Sequence, residues 1–159
     1  MRSMDVEHYF LRYAFPCAHI LLDWKEITQE QFDELKDISI NNKPVERALL
    51  EKVFFRAFEK IKDWHGEDYW HMDVMKKYWH ERHNQEIAEG VGTYATAPES
   101  FKNLSKVFKA KVLEVKNGTL LVEYENGKRR VFNDFVQDAL IGDFVFIHFG
   151  YAAEMASKK

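Results

Sequence analysis

A single histidine interrupts an otherwise apolar run near the end of the chain. The stretch GDFVFIHFGYA, residues 142–152, places His148 just before a phenylalanine and a glycine. An imidazole can bind a metal, exchange a proton or donate a hydrogen bond. Buried polar groups are usually hydrogen-bonded parts of the core. His148 is therefore predicted to be a hydrogen-bonded histidine of a core or a strand end, unless a second observation gives it another role.

The only cysteine, Cys17, lies two residues before His19 and directly after Pro16. Residues at i and i+2 of a straight helix point to different faces, so these two side chains share a metal only if the proline kinks the helix. Cys17 also falls on an apolar stripe, where an inert buried thiol is common. The sequence leaves open a core cysteine and a functional thiol.

A second group of candidate ligands is formed by His80 and His83, three residues apart on one helical face. His71, Glu81 and Glu86 are near them in the sequence. Two histidines on one turn can hold iron or zinc when a third ligand joins them. A solvated helix face or aromatic packing explains the same residues without a metal, and neither interpretation is excluded.

Three consecutive cations, Lys128-Arg129-Arg130, alternate between the two faces of a predicted strand. Beside the aromatic side chains of Tyr124 and Phe132, they could form a modest nucleic-acid surface. Charged residues that guard an edge strand are the alternative. The chain has no glycine-rich phosphate loop, no Gly-x-Ser-x-Gly motif and no obvious Ser/His/Asp set, so we expect a protein without catalysis of its own.

Composition is that of a soluble globular protein. Of 159 residues, 46% are hydrophobic and 31% charged, with a net charge of −3. Residues 101–159 carry 10 Lys and Arg against 7 Asp and Glu, which permits a nucleic acid or an acidic protein as partner. One cysteine, no signal-peptide pattern and no apolar run of about 20 residues favour a cytoplasmic protein without a membrane span.

Helical periodicity fills the first part of the chain. The spacing predicts helices over 4–24, from a Thr28–Gln31 capping box to about residue 40, from Pro44 to Gly66, and over 71–88. Pro16 predicts a kink or two short helices. We therefore expect a helical bundle over 1–89 and a linker over 90–103, with one short helical turn at 98–100.

The pattern then changes to that of strands. Candidates are residues 107–115, 119–124, 128–132 and 144–148, with Asn-Gly turns of one type at 117–118 and 126–127. Short antiparallel strands in about 50 residues predict a small barrel of the OB or SH3 type over 104–159. The predicted fold class is α+β, a helical bundle followed by an OB-like antiparallel barrel.

Residues 104–155 resemble the HypC/HupF hydrogenase-maturation chaperones. The features that match are the hairpin 111–124, the basic strand 128–131 and above all the 142–152 stretch, where the family has Gly-Asp, an apolar strand, His, any residue, Gly, an aromatic and Ala. The resemblance implies an OB-like barrel that binds a maturation protein and a hydrogenase precursor. It also implies delivery of an iron centre that carries cyanide and carbon monoxide.

The family's functional positions are the histidine of that stretch and a cysteine after the initiator methionine. His148 matches the first, whereas Ser105 stands near the second, and a serine hydroxyl is a poor iron ligand. We therefore predict an accessory protein that docks a maturation factor or metalloenzyme precursor through His148, Gly150, Tyr151, Arg129 and Arg130. The helical part would supply a second contact or cover the barrel. Nucleic-acid binding, and a metal site of Cys17, His80 and His83, are the alternatives.

Overall fold

The chain divides into two compact units, Met1–Tyr78 and Trp79–Lys159. The computed structural model describes residues 4–156. Seven α-helices precede a closed five-stranded barrel in the described part of the chain, which confirms the predicted α+β class. The predicted domain boundaries at 89/90 and 103/104 stay predictions. The predicted ends of the domains at residues 1 and 159 lie outside the described residues.

The first helix, α1 (Val6–Asp23), begins where the Asp5 side chain accepts a hydrogen bond from the His8 N–H. It runs through Pro16 without a break, so the alternative of two short helices is wrong. Its side chains are buried on most sides, and Phe10 packs against Phe54 and Phe58. Over residues 4–156, no helix has both the length and the apolar character needed to cross a bilayer.

The second helix, α2 (Gln29–Asn41), has the predicted capping box. Gln31 N–H donates to Thr28 Oγ1, and Thr28 N–H donates to Gln31 Oε1. The third predicted helix is instead two helices, α3 (Arg47–Val53) and α4 (Phe55–His65), because Phe54 leaves the helical region with a ψ of 40°. Pro44 precedes α3 and does not form its first turn, which begins after Glu46.

Helix α5 (Met72–Lys77) completes the first unit. The second unit contains most of the π-helical turn Tyr78–Arg82, then α6 (His83–Glu89), a 3₁₀ turn (Gly92–Ala95) and α7 (Glu99–Ser105). The predicted linker therefore holds regular structure, including the short helix expected after Pro98. Gly90 ends α6 in the left-handed region, with a φ of 72°.

The barrel consists of β1 (Phe108–Lys116), β2 (Thr119–Tyr124), β3 (Gly127–Phe132), β4 (Phe144–His148) and β5 (Tyr151–Met155). Neighbours follow the order β1-β2-β3-β5-β4 and close on β1; β3 and β5 are parallel, and the other pairs are antiparallel. Alternate side chains fill the interior. They are Phe108, Ala110, Val112, Leu120, Val122, Val131, Val145, Ile147 and Ala152, joined by Val136 and Ala139 from the β3–β4 loop.

The two Asn-Gly turns differ. At the first, Asn117 and Gly118 have φ values of 50° and 78°, as a type I′ turn requires. At the second, Gly127 has a φ of 134° and Asn126 does not have a positive φ, so the prediction of a second turn of the same kind is wrong. Strand β5 was not predicted, because Tyr-Ala-Ala-Glu-Met has no clear alternation and two alanines.

Candidate functional site

The candidate site is the end of β4 and the turn that follows it. His148 is fully buried, and its ring lies among three others: Phe149 at 4.8 Å, His83 at 5.1 Å and Trp79 at 5.6 Å between centroids. The π-helical turn and α6 supply Trp79 and His83. The prediction of a core or rim histidine with a hydrogen-bond partner agrees with this environment, because His148 bonds to the backbone of Ser105.

Burial disfavours a charged imidazole at this position. It lowers the pKa of His148 well below the usual range, and the neighbouring His83 lowers it further. The hydrogen bond to the Ser105 backbone opposes this shift in part. His148 is therefore neutral at physiological pH and cannot act there as a surface cation.

Ser105, the residue near the family's cysteine position, is fully buried next to this histidine. Its hydroxyl donates to the carbonyl oxygen of Phe101 at 2.8 Å, which is the internal bond of an ordinary helix serine. The structure therefore brings the two predicted positions together through a backbone hydrogen bond. The serine supplies no thiolate, and its hydroxyl has an internal partner.

The turn after β4 returns the chain into the barrel. Phe149 adopts a left-handed φ of 52°, and its N–H donates to Leu104 O at 2.9 Å. The Gly150 carbonyl accepts a hydrogen bond from Phe132 N–H at 2.8 Å. The chain therefore does not leave the barrel at Gly150 but continues as β5.

Tyr151 lies inside an aromatic group at the start of β5. Its ring stacks on Phe135 at 5.5 Å and contacts Phe132 at 5.3 Å. Burial, with a smaller contribution from Asp134, raises the pKa of Tyr151 to about 12. Phe132 keeps 49% of its surface exposed, so it presents the aromatic group to solvent where Tyr151 does not.

Arg129 and Arg130 lie on opposite faces of β3. The Arg129 guanidinium stands over the Tyr124 ring at 5.0 Å, and burial lowers its pKa. Arg130 is exposed, donates to Thr119 Oγ1 at 3.2 Å and pairs with Glu114 at 3.3 Å. Of this pair, Arg130 is exposed and Arg129 is partly buried.

The β4–β5 turn and the strands around it lie in the part of the chain that matches a family model. Residues 109–159 match the model of the HupF/HypC family. The match begins one residue into β1 and includes the other four strands, so the resemblance predicted from the 142–152 stretch is confirmed for this region. No curated protein matches the chain.

The predicted metal ligands precede the matched residues and have different neighbours. His80 Nε2 lies 3.0 Å from Glu154 Oε1, with its ring against Phe146, whereas His83 faces Trp79 and His148. Burial raises the pKa of the Cys17 thiol, in the first unit, to about 12. Within residues 4–156, no three side chains of His, Cys, Asp or Glu are grouped so that they could hold a metal ion.

Two contributors to the site were not predicted. Trp79 packs on His148 from 69 residues away in the chain, and Asn84 bonds to the backbone just before β1. Neither residue carries a local signal, because its partner is chosen by the packing of the helix on the barrel. Residues 69–80 are rich in aromatic side chains, which indicates packing in general but does not identify the partner.

Proposed function

We propose that this protein is a non-catalytic accessory protein that binds a partner during the maturation of a metalloenzyme of the hydrogenase type. The match of residues 109–159 to the HupF/HypC family carries the proposal. The closed five-stranded barrel, with its parallel β3–β5 pair, supports an OB-like assignment of this region. The partner is a maturation factor or a metalloenzyme precursor, and the proposed location is the cytoplasm.

The docking surface that we propose is the exposed rim around the predicted residues. His148 and Tyr151 are buried, so their role is to hold the turn that contains Gly150. Phe132, whose N–H donates to Gly150 O, is a solvent-facing side chain beside that turn, and Arg130 is exposed two residues before it on β3. An exposed aromatic ring and an arginine are the residue types that dominate binding energy at protein interfaces.

Transport of an iron complex is not included in this proposal. Delivery through a thiolate requires a cysteine, and Ser105 has instead a buried hydroxyl that donates to Phe101 O. An alcohol is a much weaker iron ligand than a thiolate. The residues present therefore do not fit a cargo site of the thiolate and histidine type.

A nucleic-acid role is the second candidate, and one observation favours it. Lys128, Arg130 and Phe132 follow one another on the exposed face of β3, which combines cations with a ring on which a base can stack. Two acidic residues weaken this surface: Glu123 is opposite Lys128 across the β2–β3 ladder, and Glu114 pairs with Arg130.

An anaerobic affinity purification of the tagged full chain from its host tests both candidates. Mass spectrometry identifies the bound proteins, and one half of each sample is treated with nuclease. Recovery of a hydrogenase subunit or maturation factor supports the proposed function. If the double variant Phe132→Ser/Arg130→Glu no longer recovers that protein, while the exposed control Lys116→Glu still does, the proposed docking surface is supported. RNA-associated proteins that disappear after nuclease treatment would contradict it and favour the second candidate.

A further inference from the structure

The two most exposed large apolar side chains in residues 4–156 are neighbours. Leu140 and Ile141 keep 67% and 69% of their surface exposed, and the next such residue, Trp24, keeps 51%. Single exposed apolar residues are common on proteins. An adjacent aliphatic pair at the tip of a loop is different, because it forms one continuous apolar projection.

This pair is held on a rigid turn, residues 140–143, which we call the aliphatic turn. Leu140 N–H donates to Asp143 Oδ2 and Asp143 N–H donates to Leu140 O, both at 3.0 Å. Gly142 supports the turn with a φ of 93°. Two further bonds of 2.8 Å, Gly142 N–H to Val112 O and Val112 N–H to Asp143 O, attach it to β1. A projection fixed in this way loses little conformational freedom when it binds.

Folding does not account for the two side chains. The loop before the turn is anchored by Val136 and Ala139 in the barrel core and by Phe135 on Tyr151. Leu140 and Ile141 follow these anchors and are not part of that core. Polar residues at both positions would change the free energy of unfolding little. A role in binding a partner therefore explains better why these residues are aliphatic.

The charge around the turn indicates what it binds. Residues 133–143 contain Asp134, Asp138 and Asp143 and no Lys or Arg. Two lysines of β1 lie nearby, but Lys109 stands over the Phe144 ring and Lys111 is opposite Glu123 across the β1–β2 ladder. The Asp143 side chain accepts a hydrogen bond from Leu140 N–H within the turn, and Asp138 is exposed two residues before the turn. Acidic residues around an apolar projection disfavour an anionic membrane or a nucleic acid and favour a basic protein surface.

We propose that the aliphatic turn inserts into an apolar pocket of a partner protein, and that Lys or Arg residues line the rim of that pocket. This inference rests on the proposed role of the barrel as a partner-binding module, but not on the identity of the partner. The aliphatic turn would be a second docking contact, aliphatic and flanked by acidic residues, in addition to the aromatic and basic surface at Phe132.

The test is photo-cross-linking of the full chain in its host, with benzoyl-phenylalanine at position 141 and, as a control, at position 155. Met155 is an exposed apolar barrel residue in another strand, with 42% of its surface accessible. We expect one protein adduct from position 141 and a much lower yield of that adduct from position 155. The cross-linked peptide of the partner should contain aliphatic residues and Lys or Arg. No adduct, equal adducts at both positions, a self-adduct or an acidic contact peptide would overturn the proposal.

Binding of the purified cross-linked partner then measures the contribution of the turn. Leu140→Ser/Ile141→Ser should weaken binding at least about tenfold, and Met155→Ser should not. Asp138→Lys should slow association, most strongly at low salt. Unchanged affinity in the double variant, with an unchanged unfolding curve, would refute the inference.

The same experiment separates the two proposals. A hydrogenase maturation protein that is recovered with the chain but gives no adduct at 141 would leave the proposed function intact and remove the aliphatic turn. An adduct in an apolar pocket lined by Lys or Arg, on a protein unrelated to hydrogenase maturation, would support the aliphatic turn and contradict the proposed function.

Discussion

The side-chain amide of Asn84 forms a double hydrogen bond with the backbone of Val107. Its Nδ2 donates to Val107 O, and Val107 N–H donates to its Oδ1, each at 2.8 Å. Asn84 lies in α6, and Val107 immediately precedes β1. One side chain therefore satisfies both backbone polar groups at the entry to the barrel and ties α6 to it.

Asn84→Ala is expected to destabilise the second unit by about 2 kcal/mol, because two partly buried backbone groups lose their partner. Urea unfolding followed by tryptophan fluorescence measures this change, and hydrogen exchange at Val107 locates it. Asn126→Ala is the control, since that side chain donates to Asn103 Oδ1 on the exposed surface. Equal losses for the two variants would contradict the role given to Asn84.

His148 should make the protein less stable as the pH falls. Its pKa in the folded state lies well below the value near 6.5 that it has when unfolded, so the unfolded chain binds the proton first. The stability that neutral His148 provides is fully present above about pH 6.5 and is lost below it, by up to about 1.4 kcal/mol per pH unit. Urea unfolding between pH 5 and 7.5 gives the slope.

The His148→Gln variant should show a shallower slope over that range. A second measurement does not depend on the stability of the variant: the ring proton signals of His148, followed by NMR in the native protein, should not titrate near pH 6.5. A titration midpoint at or above 6.5 would contradict the buried neutral state.

Cys17 should be unreactive in the folded protein. The residue is partly accessible to solvent, but burial raises the pKa of its thiol to about 12, so very little thiolate is present at pH 8. We expect labelling by a disulfide reagent to be at least about a hundredfold slower in buffer than in denaturing urea. Glutathione at the same pH serves as the reference thiol. Rapid native labelling would instead support the functional thiol that the sequence left open.

Thr28→Ala should cost about 1 kcal/mol, because it removes the side-chain half of the capping box at the start of α2. Thr28→Ser keeps the hydroxyl and should stay within about 0.5 kcal/mol of the original protein. Thermal or urea unfolding of the two variants side by side measures the difference. Equal stability of the alanine and serine variants would show that the cap contributes nothing.

Much of this fold could be predicted from local chemistry. The capping box at Thr28, the type I′ turn at Asn117 and the strand around His148 depend on residues within a few positions of one another. Short-range steric and hydrogen-bonding rules act within such segments, whatever the rest of the chain does. The 142–152 stretch even indicated the family whose model matches residues 109–159, because its spacing is a property of the sequence.

Other features were decided only by the tertiary structure. Strand β5 exists because β4 and β3 offer it edges, His80 meets Glu154 from 74 residues away, and Ser105 meets His148 through its backbone. The sequence determined which residues are apolar, charged or able to turn. The packing of α6 and α7 on the barrel decided which of these residues became neighbours and made His148 a buried neutral group. Burial and long-range hydrogen bonds arise only in the assembled fold.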